Sequence, residues 1–174
     1  MEKTDINLPE PFVQKMRALM EPSGEWDAFY KSFLKPPVRG LRANKLKITA
    51  AKLKEFLDFE TIPVPWCEDG LIYPETERPG KNWAYNAGLY YIQEPSAMCP
   101  AVVLDAKSGE RILDLCAAPG GKSVQIAGMM EGCGVLVSND ASASRLKALV
   151  KNIEQLLGMT IDELMIKEGS QAEI

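Results

Sequence analysis

The sequence predicts an α/β protein in which a small N-terminal α+β module is followed by the first half of a parallel sheet. Three observations predict this fold class. The 174 residues are 46% hydrophobic and 25% charged, a composition that is ordinary for a globular chain with a sizeable core. Near the N-terminus, apolar residues recur at helical spacing. After residue 110, a strand, a glycine turn, a helix, a second strand and a second helix follow one another, which is typical of a Rossmann-like βαβ unit.

Two amphipathic helices are predicted at the N-terminus. Prolines at first-turn positions open the first helix, whose apolar residues run from Phe12 to Met20. Residues 22–24 end this helix because they contain proline and glycine. A second helix carries an aromatic stripe from Trp26 to Phe33 and stops before the prolines at 36–37. The helical spacing of these aromatic residues favours packing over a platform for stacked bases.

The middle of the chain changes composition twice. Residues 38–48 alternate crudely and predict a strand, after which Thr49 caps a short helix. Residues 63–86 are rich in proline, glycine and acidic residues, which predicts a loop-rich connector with short strands. A strand at 88–92 and a helix at 95–105 follow. We therefore predict an N-terminal module with its connector over residues 1–87 and a partial cofactor-binding domain over residues 88–174.

The C-terminal part has the most regular pattern. It predicts a strand at 111–116, a turn at 117–121, a helix at 122–130, a strand at 134–138 and a helix at 142–157.

Beyond these elements, a third strand is expected at Leu164–Ile166, after which the sheet stops. An open sheet edge and an uncovered apolar face then predict self-association or a missing partner segment.

Composition also excludes several classes of function. The chain has no histidine, which removes Ser-His-Asp and Cys-His catalysis and any zinc site that needs imidazole. The four cysteines form no C-x-x-C pair, and the acidic, polar N-terminus lacks the pattern of a secretory leader. Apolar runs fall far short of the roughly 20 residues that span a bilayer. The sequence thus predicts a cytoplasmic protein with reduced thiols and without a metal or a membrane segment.

The net charge of −4 hides a basic block. Residues 31–54 contain eight lysines and arginines and no acidic residue: Lys31, Lys35, Arg39, Arg42, Lys45, Lys47, Lys52 and Lys54. Stripes of this kind bind phosphate backbones by releasing counterions, although a solvated helix face with a basic turn has the same composition. The block is therefore a candidate RNA-binding surface.

The turn at 117–121 predicts a nucleoside-containing ligand. A glycine turn between a strand and a helix directs backbone N–H groups toward a ligand at the carboxyl edge of the sheet. Asp140 follows the second strand, where a carboxylate can accept hydrogen bonds from both ribose hydroxyls. The turn lacks the first glycine of the G-x-G-x-x-G dinucleotide fingerprint, and Cys116 stands where a P-loop needs glycine. A nicotinamide-dependent oxidoreductase and a nucleoside triphosphatase are therefore disfavoured.

Several segments together resemble one family. The segment at 114–123, Asp-Leu-Cys-Ala-Ala-Pro-Gly-Gly-Lys-Ser, is similar to the S-adenosylmethionine-binding motif of the Nop/Sun (RsmB/RsmF-like) RNA cytosine-5 methyltransferases. Residues 39–47 resemble the R-x-N-x-L-K segment of that family. Residues 64–70, 91–96 and 139–145 also resemble its segments, in the same order. The resemblance covers roughly residues 8–160 and implies a class I methyltransferase sheet preceded by an RNA-recognition module.

The resemblance also implies site residues. Loop residues would contact the methionine and ribose portions of S-adenosylmethionine, namely Cys116, Ala117, Ala118, Pro119, Gly120, Gly121 and Lys122. Asp140 would hold the ribose hydroxyls, and Arg145 would either contact the cofactor or only support the loop. Residues of the basic block become candidate contacts for the RNA backbone, namely Arg39, Arg42, Asn44 and Lys45. Ribosomal RNA is the expected partner.

The family mechanism, as the resemblance implies it, is covalent. A cysteine thiolate attacks carbon 6 of cytosine so that carbon 5 can take the methyl group, and a second cysteine helps to release the enzyme. Those cysteines lie in D-x-P-C and T-C-[ST] motifs, neither of which occurs in this sequence. Cys116 is expected to pack beneath the cofactor turn, Cys67 to be a bystander in a loop, and Cys99 and Cys133 to be core or surface thiols. No catalytic residue is therefore assigned, and a missing C-terminal catalytic segment is expected.

A second hypothesis stays open at this point. The chain could be a non-catalytic RNA-binding protein that uses the basic block and carries a vestigial cofactor site. Affinity for RNA that falls steeply with salt, and falls further when Arg39 and Arg42 are changed to alanine, would support this function.

Overall fold

A computed structural model describes residues 7–158. The chain divides after Pro37 into two compact units. No helix among these residues is long and apolar enough to cross a membrane.

The first unit is a pair of helices. Helix α1 spans Glu10–Met20, a 3₁₀ turn follows at Glu21–Ser23, and α2 spans Trp26–Ser32. Gly24 takes the left-handed conformation between them, with φ 74°. The aromatic residues of the stripe pack on one another, with the rings of Phe29 and Phe33 5.2 Å apart and edge to face. The predicted helices are confirmed, and the aromatic stripe is used for packing within the unit.

The second unit begins with a four-stranded antiparallel sheet of order β2-β3-β1-β4. The strands are β1 (Arg39–Ala43), β2 (Ile62–Val64), β3 (Cys67–Tyr73) and β4 (Tyr90–Ile92). In register, Leu41 lies opposite Leu71 on β3 and Ile92 on β4.

Two short helices pack against this sheet and contribute residues to its core. Helix α3 (Ala50–Leu53) begins at Thr49, whose hydroxyl accepts the Lys52 N–H at 3.3 Å as predicted. Helix α4 (Trp83–Asn86) is capped by Asn82. The core consists of buried apolar residues from the strands and both helices: Leu41, Ala43, Leu53, Leu71, Tyr73, Ala84 and Tyr90.

The predicted connector at 63–86 is more regular than expected. It supplies β2 and β3, and β3 is the longest strand of the described residues. The alternation of apolar and polar residues along β3 is not visible in the sequence, because Glu68, Asp69 and Gly70 interrupt it. Gly70 is required there because a Cβ would lie 2.8 Å from the sulfur of Met98.

The second sheet pairs β5 (Arg111–Asp114) with β6 (Val135–Ser138) in parallel. Helix α5 (Pro95–Leu104) precedes it, α6 (Gly121–Met130) connects the strands, and α7 (Ala143–Leu157) follows β6. This order confirms the predicted βαβ unit. The third strand expected at Leu164–Ile166 lies outside the described residues.

The two faces of the second sheet differ. Ile112 and Leu136 pack against a core formed with α5 and α6. Side chains on the other face are exposed, namely Leu113 (57%), Leu115 (63%), Val135 (50%) and Val137 (39%). Within residues 7–158, this apolar face is uncovered, as the sequence predicts.

Both sheets belong to the same compact unit. Val64 and Cys67 of the first sheet pack against Met98 of α5, and α5 in turn packs on the core of the second sheet. Strand β4 lies after the predicted domain boundary at residue 87 but pairs with β1, which lies before it. The boundary itself stays a prediction.

Candidate cofactor-binding site

Asp114 fixes the loop between β5 and α6 through hydrogen bonds. This carboxylate is buried at the end of β5 and accepts the Cys116 N–H at 3.2 Å and the Ser123 hydroxyl at 2.7 Å. The Ser138 hydroxyl at the end of β6 donates to Ser123 at 3.1 Å. Asp114 thus joins the loop, the first turn of α6 and both strand ends. Asp114 is the first residue of the motif at 114–123, and nothing in the sequence indicates that its carboxylate bonds to the loop.

Asp140 links the same loop to α7. Its Oδ2 accepts the Ala118 N–H at 3.0 Å, and its Oδ1 accepts the Ser142 N–H at 3.0 Å. Arg145 lies 3.4 Å from the carboxylate and also donates to the Ala118 carbonyl. Asp140 is 4% exposed. Because a carboxylate accepts about four hydrogen bonds, these contacts leave it little spare capacity. Its contact with ribose stays a prediction, as does contact of Arg145 with the cofactor, and Arg145 bonds to the loop.

Two glycines let the loop pack closely. Gly120 has φ 114°, a conformation that favours glycine, and a Cβ there would lie 3.1 Å from the Leu149 side chain. A Cβ on Gly121 would lie 2.8 Å from the Tyr91 ring. No side chain caps α6 in the described part of the chain. The N–H groups of its first turn are therefore open to a ligand.

The predicted loop residues fall into two sets. Ala117, Ala118, Gly120 and Gly121 are buried, whereas Cys116 and Pro119 are exposed and Lys122 is half-buried. The expectation that Cys116 packs beneath the turn is wrong. Ala117 and Ala118 occupy that space, in a core cluster with residues of α6 and α7. The exposed side of the loop therefore presents Cys116, Pro119 and Lys122.

The other cysteines are also free thiols. Cys67 is buried at the start of β3, so the prediction that it lies in a loop is wrong. Burial raises the pKa of its thiol, which keeps it protonated at neutral pH. Cys99 is half-buried on α5, and Cys133 is exposed before β6, as expected of core or surface thiols.

Two predicted RNA contacts are internal. Arg42 and Asn44 are 4% and 5% exposed, and both use their donors within the fold. A buried side chain bonded to carbonyl groups cannot reach a phosphate without leaving those partners, so the structure corrects the expectation for these two residues. Arg39 forms an ion pair with Glu75 at 3.3 Å, and Lys45 is exposed. RNA contact by Arg39 and Lys45 stays a prediction.

Arg42 reaches from β1 to the start of α6. Its Nη1 lies 3.0 Å from the Gly121 carbonyl and 3.1 Å from the Gln125 side-chain oxygen, and it also donates to Gln93. Its guanidinium carbon lies 6.0 Å from the centre of the Tyr91 ring. Burial lowers the pKa of Arg42 to about 10, so the group stays charged at neutral pH.

Asn44 and Lys47 bind the C-terminal end of α7. Asn44 donates to the carbonyls of Gly88 at 2.9 Å and Leu156 at 2.6 Å. Lys47 donates to the carbonyls of Ala87 at 3.1 Å and Gln155 at 3.0 Å. The last carbonyls of a helix lack partners within the helix, and a cation is favourable there. Nothing in the sequence indicated that these residues pair with a helix more than a hundred positions away.

The comparisons with known proteins agree with this architecture. Residues 8–95 match the family described as the N-terminal domain of 16S rRNA methyltransferase RsmF, and residues 101–173 match 16S rRNA methyltransferase RsmB/F. The chain belongs to the RsmB/F family of 16S rRNA methyltransferases. The predicted resemblance to a family of S-adenosylmethionine-dependent methyltransferases is confirmed.

Relatives of known name are much longer than this chain. Ribosomal RNA small subunit methyltransferase F of Vibrio cholerae serotype O1 (strain M66-2) is 37% identical over 159 residues, which cover 87% of this chain and 34% of the relative. The protein of the same name from Klebsiella pneumoniae (strain 342) is 37% identical over 164 residues, covering 89% and 34%. The RsmB/F family chain described here thus spans about a third of the length of these relatives.

Solved structures share the fold. The structure of a methyltransferase homolog protein from Pyrococcus horikoshii is 29% identical, with a TM-score of 0.69 over 93% of this chain and 56% of that one. The crystal structure of NSun6 from Pyrococcus horikoshii with SFG has a TM-score of 0.75 at 18% identity, over 93% and 65% of the two chains. The second likeness concerns the fold alone. The predicted fold class is confirmed.

Proposed function

We propose that this chain binds S-adenosylmethionine along residues 116–122 and contributes the N-terminal and cofactor-binding part of a ribosomal RNA cytosine-5 methyltransferase. The observation that carries the proposal is the loop between β5 and α6. Asp114 and Asp140 bond to the backbone of this loop. The loop leads into α6, whose N-terminus no described side chain caps. Membership of the RsmB/F family supports RNA of the small ribosomal subunit as the substrate.

The donors and acceptors of the loop fit such a cofactor. The first-turn N–H groups of α6 suit the carboxylate of the methionine portion, because a helix N-terminus favours an anion. Lys122, half-buried in that turn, adds a positive charge. Asp140 is the acceptor for ribose hydroxyls, and release of its Arg145 contact provides the capacity that they need.

The bound cofactor supplies an electrophilic methyl group on a sulfonium. The residues of this chain bind and orient it. Asp114 and Ser123 fix the loop, and Gly120 and Gly121 allow the backbone to approach closely. Transfer to carbon 5 of cytosine by the covalent route requires a cysteine nucleophile. None of the four cysteines follows proline or threonine, so we assign that role to none of them.

The contacts of individual residues count against the alternative function, RNA binding through the basic block. Arg42, Asn44 and Lys47 bond to groups within the second unit, Arg39 pairs with Glu75, and Lys52 pairs with Glu55 at 2.8 Å. A surface that binds phosphates needs cations free to exchange their counterions. The methyltransferase proposal is therefore preferred.

Calorimetric titration with S-adenosylhomocysteine tests the proposal on the 174-residue chain. Asp140→Asn keeps the size of the side chain but removes its charge, and Glu154→Ala removes an exposed carboxylate from the outer side of α7 as the control. We expect Asp140→Asn to weaken binding at least about tenfold, or about 1.4 kcal/mol. Glu154→Ala should bind as the wild type does. Equal affinity of the Asp140→Asn and wild-type chains would refute the assignment of Asp140, and no binding by the wild type would refute the proposed function.

A further inference from the structure

Arg42 contacts the cofactor loop at the Gly121 carbonyl, whereas Asp140 contacts it at the Ala118 N–H. It lies on β1, within the N-terminal sheet, between the core residues Leu41 and Ala43. Its guanidinium nevertheless bonds to the carbonyl of Gly121, the first residue of α6. A strand that pairs on both sides is a rigid support, so the position of this guanidinium is set by the sheet.

The surroundings of the guanidinium are polar but uncharged at close range. Its oxygen partners belong to Gly121, Gln93 and Gln125, and within the described residues no carboxylate forms an ion pair with it. The two glutamines are fixed in turn, because Gln93 donates to the Ala97 carbonyl at 3.0 Å and Gln125 to the Met98 carbonyl at 3.1 Å. A buried cation is tolerated only where its hydrogen bonds are made, so this arrangement resists displacement.

We propose that Arg42 is a positioning residue of the cofactor site, which holds the Gly120–Gly121 backbone and the first turn of α6 in the geometry that binds the cofactor. The inference rests on the proposed cofactor function. Asp114 and Asp140 fix the backbone of the loop up to Ala118, and Asp114 also accepts the Ser123 hydroxyl, but the Gly121 carbonyl is held by neither of them. Arg42 supplies that contact, because its Nη1 lies within hydrogen-bond distance of the Gly121 carbonyl and of the side-chain oxygens of Gln93 and Gln125.

Lysine is the discriminating substitution. It keeps the charge and most of the buried stem, but its ammonium is one bond closer to the backbone than the Nη1 atom that meets all three oxygens, and it lacks the planar group near the Tyr91 ring. We expect Arg42→Lys to fold and to bind S-adenosylhomocysteine at least tenfold more weakly, and Arg42→Met to be weaker still. The control is Asn82→Ala, which removes the cap of α4 and a bond to the Phe56 carbonyl. It should lower the melting temperature without changing the affinity.

Two measurements on the full chain test the proposal. Calorimetry gives the affinity for S-adenosylhomocysteine below the melting temperature of each variant, and amide hydrogen exchange reports the opening of the first turn of α6. Support requires weaker binding together with faster exchange at residues 121–125 in Arg42→Lys but not in Asn82→Ala. Unchanged affinity and exchange in a folded Arg42→Lys chain, or changes equal to those of Asn82→Ala, overturn the proposal.

Two further outcomes are also decisive. If the wild type does not bind S-adenosylhomocysteine, the proposed function is refuted. Faster amide exchange in Arg42→Lys that is confined to residues 121–125 then still supports Arg42 as the anchor of α6. Exchange that becomes faster throughout the chain overturns that role. Where neither Arg42 variant folds, Gln125→Ala removes one of the three acceptors in a milder way. Wild-type affinity and exchange in Gln125→Ala would then overturn the proposal.

Discussion

Asp114 and Asp140 sit at the ends of neighbouring strands and both bond to the backbone of the cofactor loop. Asp114 accepts the Cys116 N–H and Asp140 the Ala118 N–H, so the N–H groups on either side of Ala117 are fixed from different strands. Ala117 itself donates to the Asn139 carbonyl at 2.9 Å. A loop held at three consecutive donors is pre-organised, which reduces the entropy lost when a ligand binds.

At the scale of single residues, the two glycines of α6 make a matched pair for a stability test. An alanine at Gly121 would place its Cβ 2.8 Å from the Tyr91 ring, whereas one at Gly128 would meet only the Lys45 side chain at 4.0 Å. We expect Gly121→Ala to lower the free energy of unfolding by about 1–3 kcal/mol through overpacking. Gly128→Ala should raise it by up to about 1 kcal/mol through helix propensity. Urea denaturation measures both, and the same sign of change in the two variants would contradict the packing argument.

The predictability of site residues depends on whether their partners are near in sequence. The loop at 117–121 and Asp140 could be predicted, because strand ends and glycines mark the ligand edge of a parallel sheet. Arg42 and Asn44 could not be placed, because their partners Gly121 and Leu156 are remote in sequence. The basic composition of residues 31–54 predicted an RNA-binding surface, although some of these residues are donors that bond within the fold. Cys116 was misplaced because two small residues follow it, and the structure buries those instead.

At the scale of elements, regular periodicity decided which predictions succeeded. Helices α1, α2 and α7 carry amphipathic patterns and were predicted to within a few residues. Strand β3 was not, because Gly70 and two acidic residues interrupt its alternation. Its place at the centre of the sheet depends on pairing with β1 and β2 and on close packing against Met98. Such tertiary contacts override local propensity.

Helix α7 provides a prediction about Asn44. Its amide is buried and bonds to the carbonyls of Gly88 and Leu156, so Asn44→Ala leaves two acceptors without a partner. We expect a loss of about 1–3 kcal/mol in the free energy of unfolding, measured by urea denaturation. Lys47→Ala should cost less, because that side chain is exposed to water. The control is Lys147→Ala on the exposed side of α7, within about 0.5 kcal/mol of the wild type.

The same variants distinguish a structural role from RNA contact. A residue that contacts RNA directly would change the affinity for ribosomal RNA at a temperature where the variant is fully folded, with little change in stability. A large change in RNA affinity on Asn44→Ala with an unchanged free energy of unfolding would contradict the internal role assigned to Asn44 here.

At the scale of the whole molecule, charge and exposed surface point to different partners. The chain has a net charge of −4, and half of the eight basic residues of its basic block are paired or bonded within the fold. Its most conspicuous exposed surface is the apolar face of the second sheet. An exposed apolar sheet face is typical of a surface that another chain or segment covers.

The last prediction concerns self-association through that face. Leu113 and Val137 lie opposite each other in register and are 57% and 39% exposed. Threonine keeps the preference for a strand but removes apolar surface, so the double variant Leu113→Thr, Val137→Thr should sediment as a monomer at concentrations where the wild type associates. The control Val103→Thr changes an exposed apolar residue on α5 instead and should associate as the wild type does. Association that survives in the double variant, or is lost equally in the control, would show that the sheet face is not the contact surface. Loss in the double variant alone would locate the contact on the uncovered side of the β5-β6 pair, the side opposite the core that α5 and α6 cover.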